Sequence, residues 1–410
     1  MNQTIRFIFA ISTMAFLLSG CDNGGAEDKA VIKSLESKIQ QLEQQLEQSE
    51  QASAEASKSS STSADNIKAL EKKIATLEKQ LAEAPKVETK SSTSGGTLDK
   101  VLKQGYVKCG VSNGLPGFSN PNDKGEWEGL DVEFCQAVAA ATLGDKSKVK
   151  YIPLTTKERF TALQSGEVDL LARNTTWSLH RDSALGVNFA GVNYYDGQGF
   201  MVKKSLGVYS ATELDGASIC VQAGTTTELN LADYFHFREM KYTPIIFDTE
   251  AKTVKGFEAG RCDVMTTDQS ALYALRLNLP DPKKVIVLPE IISKEPLGPV
   301  VRQGDSQWFN IVKWTLYAML NAEELGISSV SVDDMKNSND PNIRRLIGLD
   351  GPKGKGLGLK DDWSYQVIKQ VGNYSESFER TVGMSSPLEV KRGVNALWRD
   401  GGIMYAPPFR

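Results

Sequence analysis

The chain has 410 residues, with 47 Lys and Arg against 51 Asp and Glu, for a formal net charge of -4. That length can hold two substantial lobes with segments to spare, and the near balance of charge, with no basic block, argues against a nucleic-acid partner. After residue 20 no apolar run is long enough to span a bilayer.

Residues 1–20 read as an export signal: Arg6 gives a positive start, and the mostly apolar run 7–18 is short for a membrane span. The run ends in Leu18-Ser19-Gly20-Cys21, which resembles the bacterial lipoprotein box. That resemblance implies a lipidated Cys21 as the first mature residue, anchored to a membrane. Asp22 resembles an inner-membrane retention signal of some Gram-negative lipoproteins.

Residues 21–96 read as anchor, tether and linker. Ile32, Leu35, Ile39, Leu42 and Leu46 repeat at intervals of 3 and 4, and Ile67, Leu70, Ile74, Leu77 and Leu81 repeat in the same register. Small seam residues lie between them (Ser49, Ser53, Ala56, Ser60 and Ser63). Two readings follow: a self-associating coiled-coil stalk over 32–81, about 75 Å long at 1.5 Å per residue, or two short helices with a serine-rich joint. Pro85, the serines and Gly95-Gly96 mark a linker.

From residue 97 strands and helices alternate. Strands are predicted at 107–111, 149–152 and 168–172, with helices at 131–143 and around Phe160 and Leu163, where Thr155 and Glu158 form a capping-box pattern. This spacing predicts α/β units, a largely parallel sheet and ligand binding beyond the carboxyl ends of the strands. Phe118 lies there, either as an apolar wall beside a ligand or as a loop aromatic packed on its own lobe. The stretch 169–181, DLLARNTTWSLHR, lies there too and presents Arg173, Asn174, Thr175, Thr176 and Arg181 at one strand end.

A second lobe is predicted over 196–296. Strand 218–221 leads through Gly224-Thr225-Thr226-Thr227 into helix 227–235, whose free first amides favour an anion unless a threonine simply caps them. Strand 245–247 and a helix to Glu258 follow; Val264 and Met265 then lead to Thr266-Thr267-Asp268, helix 271–277 and strand 285–288. Residues 297–301 read as a strand crossing back and 305–325 as a helix returning to the first lobe, so 97–195 and 297–345 form one lobe. In the 346–410 extension, helices are predicted at 361–371 and 387–398, packed on that lobe.

Four cysteines remain besides Cys21: Cys109, Cys135, Cys220 and Cys262. They allow three pairings; neighbours 109–135 and 220–262 fall inside single lobes and are the simplest choice. A zinc site does not fit, since the spacings are wide and no histidine accompanies them. The glycine-rich GPKGKGLG segment lacks the Gly-Lys-Ser/Thr ending of a phosphate loop. No cofactor is expected. The two histidines, His180 and His236, have no nucleophile or carboxylate beside them in sequence, and His180 reads as a surface or supporting group.

Over residues 97–345, with the extension continuing to 410, this pattern resembles the extracellular solute-binding proteins of amino-acid ABC transporters, closest to the general L-amino-acid subgroup. The resemblance implies a two-lobed periplasmic-binding fold with two crossovers, here preceded by the stalk, and a non-catalytic role in delivering free L-amino acids to a membrane permease. It assigns the α-carboxylate to Arg181 and Thr176, with a further contact from Thr226. It assigns the α-ammonium to Asp268, after the Gly260-Arg261-Cys262-Asp263 segment. Arg173 stands where small residues are usual, and could meet an acidic side chain or pair within its lobe. Two rivals remain: a membrane-anchored sensor or structural lipoprotein, and a dehydratase on the same fold using Glu228 or Glu295.

Overall fold

The computed structural model describes residues 96–351 and 353–410, with positions 72, 73 and 76 before them. The export signal, Cys21, the heptad seam and the Pro85–Gly95 linker lie outside the described residues, apart from those three positions. No helix among the described residues is long and apolar enough to cross a membrane.

The first lobe opens with α1 (Thr97–Gln104), β1 (Val107–Val111) and a small hairpin, β2 (Asn120–Pro121) and β3 (Trp127–Glu128). Then come α2 (Leu130–Leu143), β4 (Val149–Pro153), α3 (Arg159–Ser165), β5 (Leu170–Leu171), α4 (Leu179–Ala184) and β6 (Val187–Phe189). The chain leaves through β7 (Tyr194–Asp196) into β8 (Gln198–Lys203). The second lobe continues with β9 (Ala217–Gln222), α5 (Thr226–Phe237), β10 (Tyr242–Phe247), α6 (Glu250–Glu258), β11 (Val264–Asp268), α7 (Gln269–Arg276) and β12 (Val285–Val287). The return runs through β13 (Glu295–Leu297) to β14 (Val300–Arg302), α8 (Ser306–Glu324) and α9 (Pro341–Leu346), and the extension adds α10 (Trp363–Gln370) and α11 (Tyr374–Thr381).

The two sheets share one plan. Their strand orders are β4-β1-β5-β14-β6 and β10-β9-β11-β8-β12. Each core triplet is parallel, and the fourth strand runs against both neighbours. The expectation of largely parallel sheets missed that reversed strand. Its cause is the crossing: β7 and β13 pair antiparallel, Asp196 opposite Glu295, and each runs on into the reversed strand of the lobe it enters. The single return strand expected over 297–301 is broken at Gly298, where a Cβ would lie 2.0 Å from the Gly191 carbonyl oxygen. Only glycine allows that approach.

Helix α2 is apolar on every side, so it must be covered all round. Most of it is buried, from Leu130 to Ala141. β1 lies against it, and α8 and α10 cover it elsewhere, which docks the extension on the first lobe. The Arg380–Glu133 pair (2.7 Å) and the bond from the Tyr374 hydroxyl to the Asn193 carbonyl (2.7 Å) fasten the extension further. The helix expected over 387–398 does not form; that segment has only a short 3-10 turn at Gly393–Asn395 and the start of another at Trp398, and the helices not anticipated are α9 and α11, the latter capped by Asn373 and Glu376 in a capping box. The cysteines pair as Cys109–Cys135 and Cys220–Cys262, one bond in each lobe.

Candidate functional site: a charged cavity closed between the lobes

The stretch 169–181 is held from two directions. The Asp131 carboxylate, in the first turn of α2, accepts from the Asn174 amide at 2.8 Å and fixes Asn174 with φ of 35°. Burial pushes that carboxyl up to about 6. Ser178 caps α4, which brings Arg181 back so that its Nη1 donates to the Thr176 carbonyl at 2.9 Å. Arg181 is buried, and its guanidinium stands over the Phe160 ring.

The facing lobe contributes two strand ends. Thr225 caps α5 by accepting from the Glu228 amide, while its own hydroxyl donates to the Gln222 carbonyl at 2.7 Å. Ordinary capping thus occupies the Thr225 side chain, and the amides of Thr226 and Thr227 are the ones left free by helix geometry. Asp268 ends β11 and is buried; burial first, then the nearby Asp196, Glu295 and Glu250 charges, push its carboxyl well above the ordinary range.

These elements enclose an inner cavity of about 30 Å³, lined by Arg173, Asn174, Thr176 and Arg181 from one lobe and by Thr225, Thr226 and Asp268 from the other. That space holds about two waters, so a larger ligand enters only as the lobes part. An outer cavity of about 340 Å³ shares Arg173, Gln222 and Glu250 with the inner one and reaches Asn113, Leu275 and Asn278.

Two expected residues lie elsewhere. Phe118 is buried, edge-on to Tyr194, and lines neither cavity. The reason is local: Leu130 and Asp131 donate to the carbonyls of Gly117 and Phe118, and Gly129, whose added Cβ would sit 2.3 Å from the Phe118 oxygen, lets α2 close over the turn. Thr175 is also buried behind the wall, donating to the Arg173 carbonyl and accepting from Arg159 at 3.3 Å.

Several cavity residues were missed. Arg159 lines the inner cavity fully buried, with its Nε unpartnered; burial, then Arg173 and Arg181, pulls its guanidinium well below the ordinary value. Glu250 lines it too, with its carboxyl pushed up to about 6 by burial against the pull of Arg173. Both open a helix just beyond a strand's carboxyl end, α3 after β4 and α6 after β10. Position beyond a strand end was therefore the available signal, and capping patterns concealed it. Gln222, Thr156 and Thr267 line the inner cavity as well, and Glu295 is a further omission as a site residue. Its Oε2 accepts from Thr176 at 2.6 Å and Thr226 at 2.8 Å, and its Oε1 accepts from Asn230 and Ser293, each at 2.7 Å.

Residues 107–327 match the family model of bacterial extracellular solute-binding proteins, family 3. The chain belongs to that family. This solute-binding protein is 60% identical over 316 residues to the general L-amino acid-binding periplasmic protein AapJ of Rhizobium johnstonii, covering 77% of this chain and 93% of that one. It is 54% identical over 318 residues to the glutamate/glutamine/aspartate/asparagine-binding protein BztA of Rhodobacter capsulatus, covering 77% of this chain and 94% of that one. Among solved structures, a periplasmic binding protein from Brucella ovis with glutathione bound superposes with a TM-score of 0.76 at 55% identity, covering 77% of this chain and all of that one. The matched family is one of solute-binding proteins, which gives the dehydratase reading no support.

Proposed function

We propose that this protein binds free L-amino acids between its lobes, outside the cytoplasmic membrane, and presents them to an ABC permease. One observation carries the reading: Arg181 and Asp268, a guanidinium and a carboxyl from facing lobes, line the same small cavity. An amino-acid head group carries the complementary pair of charges. Arg181 takes the α-carboxylate, since a guanidinium can place two parallel hydrogen bonds on it, and the free first amides of α5 supply further donors. Asp268 takes the α-ammonium, which replaces the proton that burial and the neighbouring acids favour. Each charge loses water as the cleft closes, so each needs its partner in place. The ligand thereby shifts the lobes toward the closed state.

The side chain then extends past Arg173, Gln222 and Glu250 into the outer cavity. The room there suits a broad range of side chains, in keeping with relatives named for general L-amino acids and for glutamate, glutamine, aspartate and asparagine. Glutathione, bound by the Brucella protein, carries the same head group at its glutamyl end. Arg173 makes an acidic or amide side chain welcome at the neck. Asn174 shapes the wall, with its buried side-chain oxygen open to a donor.

Upstream, we read 1–20 as the signal, Cys21 as the lipid anchor, and 22–96 as tether and linker, self-associating through 32–81. The lobes are then 97–195 with 297–345, and 196–296, with 346–410 as an extension. Calorimetric titration of the common L-amino acids tests the binding; no heat from any of them refutes it. Mass spectrometry of the N-terminal peptide from isolated membranes tests the anchor, and an unmodified Cys21 refutes that part.

A further inference from the structure

We infer that Glu295 sets the direction in which Thr176 and Thr226 hydrogen-bond, so that both hydroxyls meet the ligand as acceptors and select for its ammonium group. This deepens the amino-acid reading and rests on it. An ionised carboxylate has about four lone-pair positions and no proton to give. All four are taken here. Thr176 (2.6 Å) and Thr226 (2.8 Å) share Oε2, and Asn230 and Ser293 (2.7 Å each) share Oε1.

Each threonine hydroxyl has one proton. If both protons point at Glu295, neither remains for the cavity. What the cavity receives is two oxygen lone pairs 3.4 Å apart, beside Asp268. A ligand atom touching both must be a donor. The carboxylate contacts then fall to Arg181 and to the first amides of α5, and the threonine hydroxyls serve the ammonium end. Glu295 sits on the crossing strand β13, with Thr176 on the first lobe and Thr226 on the second. The hydroxyl orientation is therefore complete only when the lobes are together, so selection and closure are one event. Glu295 is a positioning residue in this scheme, because it acts on the ligand through the threonines.

Glu295→Gln tests this with little change of shape. The amide oxygen can keep Asn230 and Ser293, and its NH2 then donates to both threonines, turning their protons into the cavity. The experiment titrates the full-length chain with L-glutamate and with 2-oxoglutarate, which differ at the ammonium position. The wild-type protein should prefer L-glutamate by about 100-fold, the scale of lost hydrogen bonds to a charged group. In E295Q that preference should shrink by about tenfold or more. A lower affinity for both ligands with the preference unchanged means a merely structural Glu295 and overturns the proposal. Thr226→Val removes one of the oriented hydroxyls and leaves Glu295 three donors; it should narrow the same preference, and an unchanged preference there overturns the proposal even if E295Q does not fold. A wild-type protein that binds no amino acid instead refutes the underlying reading, which separates the two failures.

Discussion

The two walls of the cavity carry opposite kinds of ionisable group. The first lobe brings Arg159, Arg173 and Arg181, all buried. The second lobe brings Asp268 and Glu250, and the crossing strands β7 and β13 hold Asp196 and Glu295 nearby. No carboxylate of the described residues lies within salt-bridge distance of any of the three guanidiniums. In an ordinary interface such charges would pair across the gap. Here they are held apart by anchors within their own lobe: Arg181 on the Thr176 carbonyl, Arg173 on the Leu154 carbonyl, Arg159 on the Thr175 hydroxyl. Charges desolvated without partners cost stability, and a zwitterion that reaches both walls relieves that cost. The asymmetry between the lobes is thus the binding determinant itself.

The hardest test of that comparison removes the cation that faces the ligand carboxylate. Arg181→Ala should weaken every amino acid alike by about 2–5 kcal/mol, the cost of truncating one partner of a buried charge pair. Calorimetry that finds unchanged affinity ends the assignment. Asp268→Asn removes the opposite charge with almost no change of volume, and should weaken binding by about 10- to 100-fold. It should also leave the empty protein at least as heat-stable as the wild type, because burial and like charges already disfavour an ionised Asp268. A melting temperature that falls in the empty variant would mean Asp268 is paired within the protein, and the asymmetry argument would fail on that wall.

The pH dependence sharpens the same contrast. With the lobes together, burial and the neighbouring acids raise the Asp268 carboxyl well above the ordinary 3.8. A ligand ammonium needs the ionised carboxylate, so binding expels the proton and affinity falls as pH drops, beginning well above 3.8. Titration from about pH 8 to about pH 5, in buffers of different ionisation enthalpy, should report proton release on binding. Proton uptake, or a flat profile, contradicts the ammonium–Asp268 contact.

The alternation of strands and helices and the placing of Arg173, Asn174, Thr176, Arg181, Thr225, Thr226 and Asp268 at strand ends were legible because each rests on local pattern. Strand ends in α/β units are predictable from turn chemistry, and ligand-facing groups collect beyond them. What escaped needed tertiary contact. Arg159 and Glu250 look like helix-start residues until the strands before them, β4 and β10, are placed in the sheets of the two lobes. Phe118 reads as cavity-facing until Gly129 lets α2 fold over it. Pro387–Trp398 has apolar spacing that suits a helix, yet those positions are fixed by tertiary bonds such as Arg392 to Glu323 at 3.0 Å and the Asn395 side chain to both backbone groups of Tyr195. Glu295 could be suspected only as an acid near a return strand; its donors come from the 176 stretch, from two positions of α5 and from Ser293 just before it.

The smallest expected effect lies at the rim, where charge also crosses between lobes. Lys157 and Asp248 approach at 3.5 Å, but both side chains remain more than half exposed. Water screens such a pair and its ordering costs side-chain entropy, so exposed pairs contribute little. Lys157→Ala should change amino-acid affinity by about twofold or less, against the large loss in Arg181→Ala. A comparable loss at the rim would mean that closure is driven by charge across the cleft in general. The predicted gap between the two variants instead says that charge matters where water has been excluded, which ties the affinity to the buried walls and to the ligand that bridges them.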